Sequence, residues 1–355
     1  MKAIVIERFG GPEVMEYRDV PMPRPGPGEV LVEVHAVTVN RTLDIHVRED
    51  GDGRRPILPL VLGVDPAGAI VAVGEGVVTS RIGERVAVVS PLRCGRCAPC
   101  RAGAVADCIA PVHLGIHRWG GYAEHVVVPS ANAQPIPQNL LYPEAAVIFR
   151  HFPTGFHLLD CKAELAPGET VLVMGAAGGL GTALVQIAKY RGARVIAAAG
   201  SDAGVALARE LGAELGVNYR TEDLEARVRA ATDGHGVDVV CENIGAADLW
   251  PAAFNSLGGG GRLVTAGAHG GGTVTLDVKR LYRRKLKLIG GAGSDPKDLR
   301  ATFEGAAAGR FRAAIDRVLP LSAVAEAHRL VSERLVTGKV VLVPDAVLAA
   351  SAEAV

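Results

Sequence analysis

The sequence predicts an α/β protein in two parts, a β-rich first part and a doubly wound parallel sheet behind it. Three observations carry this expectation. Before residue 143, Val-rich runs are broken repeatedly by Gly and Pro. From Thr170 onward, strand, turn and helix patterns alternate, as a parallel sheet with crossover helices requires. The chain has 355 residues, 49% of them hydrophobic, with 44 glycines, which fits about two domains of ordinary size with substantial cores.

In order, Ala3–Ile6 and Val30–Val39 read as strands, separated by the segment Pro21-Met22-Pro23-Arg24-Pro25-Gly26-Pro27-Gly28, which cannot be helical. Val61–Val73, Arg85–Val89 and Tyr122–Pro129 are further strands. A helix over Pro143–Leu159 opens on Pro-Glu. Strands are then expected at Thr170–Met174, Arg194–Ala199, Val217–Tyr219, Val237–Cys241, Arg262–Ala266 and Leu286–Ile289. Helices are expected over Leu180–Tyr190, Ala203–Leu211 and Leu224–Ala231. Ala301–Ala308 and Ala323–Val336 read as helices, Lys339–Val343 as a last strand, and residues after Pro344 as a loosely held tail.

Lys+Arg and Asp+Glu both number 38, so the formal net charge is zero. That argues against a dedicated nucleic-acid binder or a polybasic membrane protein. The basic run Arg280-Leu281-Tyr282-Arg283-Arg284-Lys285 reads as a solvated face or the mouth of a cofactor cleft. No apolar run approaches the ~20 residues of a membrane span, and no signal-peptide pattern opens the chain. The expected location is cytoplasmic.

Cys94, Cys97, Cys100 and Cys108 form a tight cluster, while Cys161 and Cys241 stand apart and read as small buried apolar residues. In a cytosolic chain clustered thiols point to metal rather than disulfides. Four thiolates complete a tetrahedral zinc shell and leave no open position, so one structural Zn²⁺ is expected, with Pro91, Gly95, Pro99 and Gly103 supplying the turns.

Gly175-Ala176-Ala177-Gly178-Gly179-Leu180-Gly181 follows a strand and opens a helix, the context a dinucleotide fingerprint requires. Backbone N–H groups of Ala177, Gly178, Gly179 and Leu180 can then approach a pyrophosphate at the helix N-terminus. The second strand ends Ala199-Gly200-Ser201 with no acid at its tip. A ribose phosphate fits there, with Gly200, Ser201 and Tyr219, and Arg220 near them, so NADPH is the reading, with Asp202 leaving NADH open.

Taken together, Gly63-Val64-Asp65-Pro66-Ala67-Gly68, the four-cysteine lobe, Gly120-Gly121-Tyr122-Ala123-Glu124, the glycine turn and Gly338-Lys339-Val340-Val341 make the chain resemble the medium-chain dehydrogenase/reductase superfamily along nearly its whole length. The resemblance implies a GroES-like β-rich catalytic domain and a Rossmann-type coenzyme domain. The expected division is 1–142, with the zinc lobe at 91–112, then 143–290, with 291–355 returning to the catalytic domain and its tail. It also implies hydride transfer involving a nicotinamide and a homodimer or homotetramer.

The alcohol dehydrogenases of that superfamily carry a second, catalytic zinc. This chain departs from its ligand pattern: Val39-Asn40-Arg41-Thr42-Leu43-Asp44 holds no cysteine, Val64 stands where histidine would, and Arg150 falls at the third ligand position. A cation and an aliphatic chain cannot replace a thiolate and an imidazole around zinc. The resemblance is therefore to the zinc-free quinone oxidoreductase and enone reductase branch, with the structural-zinc lobe retained.

The expected substrate is a quinone or an α,β-unsaturated carbonyl compound, reduced without a catalytic metal. Asn40 and Asp65 match polar positions of that branch, and Arg150 is placed to stabilise a developing enolate. Thr154, Asn243, Ala266, Gly267, Ala268, Gly291, Ala292 and Lys339 complete the expected cofactor contacts. His46, His151, Tyr122 and solvent stay open as proton sources, with Tyr122 read chiefly as a packing residue. Trp119 and Trp250 are read as lining the substrate pocket or as core. A zinc-dependent alcohol dehydrogenase with atypical ligands and a non-catalytic NADPH-binding protein are the alternatives.

Overall fold

The structure is a computed structural model that describes residues 1–353. The chain divides into two compact units, residues 1–150 with the chain from Phe303 onward, and His151–Thr302. The second unit starts and ends later in the chain than the expected 143–290. Both crossings lie inside helices, Tyr142–Phe156 and Pro296–Ala307, which run through the points where composition changes.

In the first unit, Lys2–Ile6 pairs antiparallel with Glu16–Asp19 and with Leu60–Val61. The strand Glu29–Thr38 is the hub of a second sheet: it pairs with Ala67–Val73, with His125–Pro129 and, at its end, with Lys339–Val343. Val30, Val32 and Val34 bury one face of it with Ile70, Val86 and Val128. Val37 and Val39 enter a second cluster with Ile4, Ile45, Leu62, Tyr122 and Val340.

The run Val61–Val73, expected as one strand, is two: Leu60–Val61 and Ala67–Val73. Gly63 sits between them at φ +94°, where an added Cβ would lie 2.7 Å from the Tyr122 backbone nitrogen. Pro66 follows without an N–H to offer a ladder. This break turns Asp65 into the interior, where it is 3% exposed.

The second unit is a six-stranded parallel sheet in the order Leu215–Asn218, Arg194–Ala199, Thr170–Met174, Val237–Cys241, Leu257–Thr265, Lys287–Gly290. Thr170–Met174 is central and buried throughout, which is why it reads as an unbroken apolar run. The strand expected at Arg262–Ala266 begins at Leu257, because pairing with Val237 recruits the glycines ahead of it. Two six-residue helices, Trp250–Asn255 and Val278–Arg283, went unpredicted; the second is capped by Asp277, which accepts from the Arg280 N–H at 2.9 Å.

The expected loose tail is a helix, Asp345–Glu353. Asp345 anchors it, accepting from Ser322 Oγ at 2.5 Å and from the Ser322 N–H at 3.1 Å. Pro344 ends the strand, and the alanines behind it propagate a helix rather than a coil.

Candidate functional site

The zinc lobe is closed at its base by Leu92 and Val112, which exchange backbone hydrogen bonds of 2.7 and 2.9 Å. Within it the helix Ala98–Arg101 begins with Pro99 in its first turn and carries Cys100, and the four Sγ atoms lie within 4.8 Å of one another. Cys94 and Cys100 Sγ are 4.0 Å apart. Zn–S bonds of about 2.3 Å require an S···S edge of about 3.8 Å, so the donor set fits one tetrahedral Zn²⁺. With four thiolates the ion has no open position, and the site fastens a loop.

In the second unit the glycine turn joins Thr170–Met174 to the helix Gly179–Tyr190. An added Cβ at Gly181 would lie 2.1 Å from the Gly175 carbonyl oxygen, so this helix end closes on the strand only with glycine there. Gly178 caps the helix without a side-chain hydrogen bond, leaving its first N–H groups for an anion. Ala177 lies against the next helix, where an added Cβ at Gly204 would be 2.9 Å from its Cβ. Leu180 is half-buried on the first turn.

At the tip of the second strand, Ser201 caps the helix Asp202–Glu210, accepting from the Gly204 N–H at 3.1 Å and keeping its own O–H to donate. The Tyr219 hydroxyl would be 2.8 Å from a Cβ added at Gly200. Asp202 is held by Asn218 Nδ2 at 2.8 Å. Further along, Asn243 is buried: its Oδ1 accepts from the Ala266 N–H at 3.1 Å, while its Nδ2 has no partner among the described residues. Gly267 backs onto the Asn243 carbonyl, and Ala268 packs on Gly245. An unpaired buried amide beside a glycine turn fits a polar cofactor.

Gly291 makes room for Leu158 and Lys162, Ala292 is exposed, and Thr154 is half-buried on its helix. His151 stands against the turn, where an added Cβ at Gly179 would be 2.3 Å from its Nε2. Glu242, which the sequence reading missed, is buried and accepts from the Ile244 and Gly245 N–H groups, both at 2.9 Å.

In the first unit the structure brings Asn40, Asp65, Arg150 and Lys339 together and adds Thr38 and Asp44. Asp65 Oδ1 accepts from the Thr38 N–H at 3.0 Å; its Oδ2 accepts from Thr38 Oγ1 at 2.7 Å and Asn40 Nδ2 at 2.9 Å. Asp44 Oδ2 accepts from the Asn40 N–H at 2.7 Å and its Oδ1 from the Gly63 N–H at 3.1 Å. Lys339 donates to the Val39 carbonyl at 2.6 Å and to Asn40 Oδ1 at 2.9 Å. Arg150 Nε stands 3.9 Å from Asp65 Oδ2. Burial, then the neighbouring Asp65 charge, pushes Asp44 up to about 7. Burial pulls Lys339 down to about 8, against the carboxylates that hold it charged.

Tyr122 is fully buried, as a packing residue would be, but its hydroxyl also lies 3.2 Å from His328 Nε2. Arg48 Nη1 donates to His328 Nδ1 at 3.0 Å, which leaves the imidazole hydrogen on Nε2. Burial, then Arg48, pushes His328 down to about 3. His46 is half-buried at the start of its short helix.

Several expectations change. Cys161 is not a buried apolar residue: it is half-buried, with Sγ 3.8 Å from Asp298 Oδ1, beside His157, whose Nδ1 is 2.9 Å from Asp298 Oδ2. Cys241 is fully buried, as expected. Trp250 is core, stacked on Phe254, whereas Trp119 is 38% exposed and donates to the Pro59 carbonyl. The basic run is largely solvated, with Tyr282 exposed. Among the described residues no helix is long and apolar enough to cross a membrane.

Comparison with known proteins agrees with this geometry. Residues 26–138 match the family model of the alcohol dehydrogenase GroES-like domain, and residues 179–308 that of the zinc-binding dehydrogenase. An NAD-dependent alcohol dehydrogenase of Sulfolobus acidocaldarius is 33% identical over 349 residues, covering 96% of this chain and 99% of that protein. A quinone oxidoreductase of Sus scrofa is 30% identical over 348 residues, covering 96% and 97%. A solved NAD-dependent alcohol dehydrogenase is 41% identical, with a TM-score of 0.91 over 97% of this chain and 99% of that one. Fold, glycine turn and relatives together define an oxidoreductase with a GroES-like domain and a Rossmann-type parallel sheet. The chain belongs to the medium-chain dehydrogenase/reductase superfamily.

Proposed function

We propose that the chain is an NADPH-dependent reductase that delivers hydride to a quinone or an α,β-unsaturated carbonyl compound without a catalytic metal. One observation carries this reading. The segment Val39–Asp44 holds no cysteine, Val64 and Arg150 stand where metal-binding alcohol dehydrogenases are expected to place ligands, and the acids beside them, Asp44 and Asp65, already face Lys339 and Arg150. A divalent ion has neither a soft ligand set nor an unpaired negative charge to enter here.

The residues fit a nicotinamide nucleotide at the glycine turn, with Ala177, Gly178, Gly179 and Leu180 for its pyrophosphate and Asn243, Ala266, Gly267 and Ala268 further along. Thr154, Gly291 and Ala292 belong to the same proposal. Bound there, the reduced nucleotide supplies the hydride. Gly200, Ser201, Tyr219 and the exposed Arg220 favour a ribose phosphate, hence NADPH over NADH. Arg150 faces the substrate oxygen as negative charge develops on it, an effect worth roughly 3–4 kcal/mol for one well-placed donor. Asp65, fixed by Thr38 and Asn40, faces Arg150 from 3.9 Å, and Lys339 orients Asn40. Tyr122 is sequestered between His328 and Asp44, and this reading assigns the proton to solvent. Cys94, Cys97, Cys100 and Cys108 hold one structural Zn²⁺, and the working form is a homodimer or homotetramer.

The rival reading, a zinc-dependent alcohol dehydrogenase with atypical ligands, draws on the relatives of that name. Metal analysis with a substrate panel separates the two. One zinc per chain, with NADPH consumed on quinones or enones, supports the proposal. Two zincs with alcohol oxidation would overturn it, and no turnover on any acceptor would leave a nucleotide-binding protein. Arg220→Ala tests the coenzyme: KM for NADPH should rise about tenfold, with little change for NADH.

A further inference from the structure

Arg150 is set in the first unit with almost nothing to bind. Its side chain is 23% exposed, and its Nε is buried without a hydrogen-bond partner among the described residues. The carboxylate it faces, Asp65, is 3.9 Å away, beyond hydrogen-bond reach, and already accepts three hydrogen bonds from Thr38 and Asn40. Half-buried guanidinium donors left unmade are costly.

His113 and His117 have ring centroids 5.7 Å apart, and burial, then Arg54, His117, Arg150 and Arg93, pulls His113 down to about 4. Arg54 has its own partner, Asp52, at 2.8 Å. His117 Nε2 lies 3.0 Å from the Arg54 carbonyl oxygen, which fixes the imidazole against that loop. Arg150 is therefore the cation of this group whose partner stands off. A planar guanidinium fork that reaches the surface and makes no hydrogen bond among the described residues matches an oxyanion bidentately.

Resting on the reductase reading above, we propose that the substrate is an electron-poor alkene carrying an anionic oxygen group, a carboxylate or phosphate, which the Arg150 fork receives. The guanidinium has five N–H donors, enough for a bidentate contact and one more toward the conjugated carbonyl oxygen. Hydride from the reduced nicotinamide forms the new C–H bond at the electrophilic carbon, the alkene π pair shifts to the bond between the α-carbon and the carbonyl carbon, and the carbonyl π pair moves onto oxygen. The enolate then takes a proton from solvent at its α-carbon. The substrate gains two electrons and the nicotinamide is oxidised.

The test uses the full-length, zinc-loaded protein with NADPH and three acceptors of one skeleton: a 4-oxo-2-enoic acid, its methyl ester and the matching phosphonate. The acid or the phosphonate should exceed the ester in kcat/KM by about tenfold or more, and whichever leads identifies the anion. That preference should shrink as KCl is raised, vanish in Arg150→Gln and survive in part in Arg150→Lys. An ester as good as the acid in the unaltered protein, or an Arg150→Gln variant that lowers both equally, would overturn the inference. Calorimetry with the saturated 4-oxo acid separates this inference from the reductase reading. Arg150-dependent binding without turnover of any acceptor would sink the reductase reading and keep the anion site; absence of binding would sink the anion site.

Discussion

Asn40 Nδ2 lies 2.9 Å from Asp65 Oδ2, and the same side chain touches two more buried charges, Asp44 Oδ2 at 3.1 Å and Lys339 Nζ at 2.9 Å. A neutral amide can serve three charges because it offers donors to the acids and an acceptor to the lysine. Asn40→Ala leaves each of them short of a partner in a site closed to water. The expected cost is about 1.5–3 kcal/mol, the range for hydrogen bonds to charged groups. Urea denaturation followed by circular dichroism measures it, and a loss under ~1 kcal/mol would show that water reaches the network.

Two buried groups of this unit give opposite pH dependences. Asp44 rises from 3.8 to about 7 in the fold, so the folded state holds its proton more tightly; that stabilisation is full in acid and is lost as pH climbs toward 7. His328 falls from 6.5 to about 3, so between those values only the unfolded state is protonated, and stability rises with pH. The two partly cancel between pH 4 and 6.5. Asp44→Asn should therefore make stability climb more steeply with pH across this window, and His328→Gln should make it climb less steeply, since His113, held down at about 4, keeps part of the rise. Chemical denaturation at half-unit pH steps reads both slopes, and parallel curves for all three proteins would contradict the assignment.

How much of this was legible in the sequence depends on range. Thr170–Met174 and Arg194–Ala199 were readable because strands buried on both faces leave apolar runs, and Val237–Cys241 is broken only by the exposed Asp238. The cysteine lobe and glycine turn were readable because their chemistry is local in sequence. Asp44 was visible four residues past Asn40, yet its part in the network was not, since its other oxygen is held by the Gly63 N–H, 19 residues on. His328 gave no signal either: its partners Arg48 and Tyr122 are joined to it only by folding. The helix after Pro344 was not legible because the Ser322 side chain that anchors Asp345 lies 23 residues back in the chain.

The zinc lobe should behave as a locally metal-dependent element. Its Leu92–Val112 base is a single bridge, and its loop contains no long strand or helix to hold it without the ion. Cys97→Ser or prolonged chelation should release one zinc per chain and open residues 93–112 to proteolysis. Cys161→Ser should leave the zinc of this lobe in place and residues 93–112 protected, because that thiol lies in the other unit, beside His157 and Asp298. Mass spectrometry of metal content and of the first proteolytic cuts distinguishes these outcomes.

Gly181 offers the most direct test of the nucleotide site. A Cβ there would come within 2.1 Å of the Gly175 carbonyl oxygen and 2.8 Å of Ala176 Cα, both backbone atoms that no rotamer change can move. The helix start must shift away from the strand, and with it the N–H groups that Gly178 leaves uncapped. Because Gly181 is buried at the foot of a central helix, some stability is lost as well, on the order of 1–3 kcal/mol for overpacking. Gly181→Ala should thus weaken NADPH binding by tenfold or more while zinc content stays at the unaltered value. Quenching of protein fluorescence by NADPH supplies the affinity. A variant that folds and binds as the parent does would mean that the nucleotide does not rest on this turn.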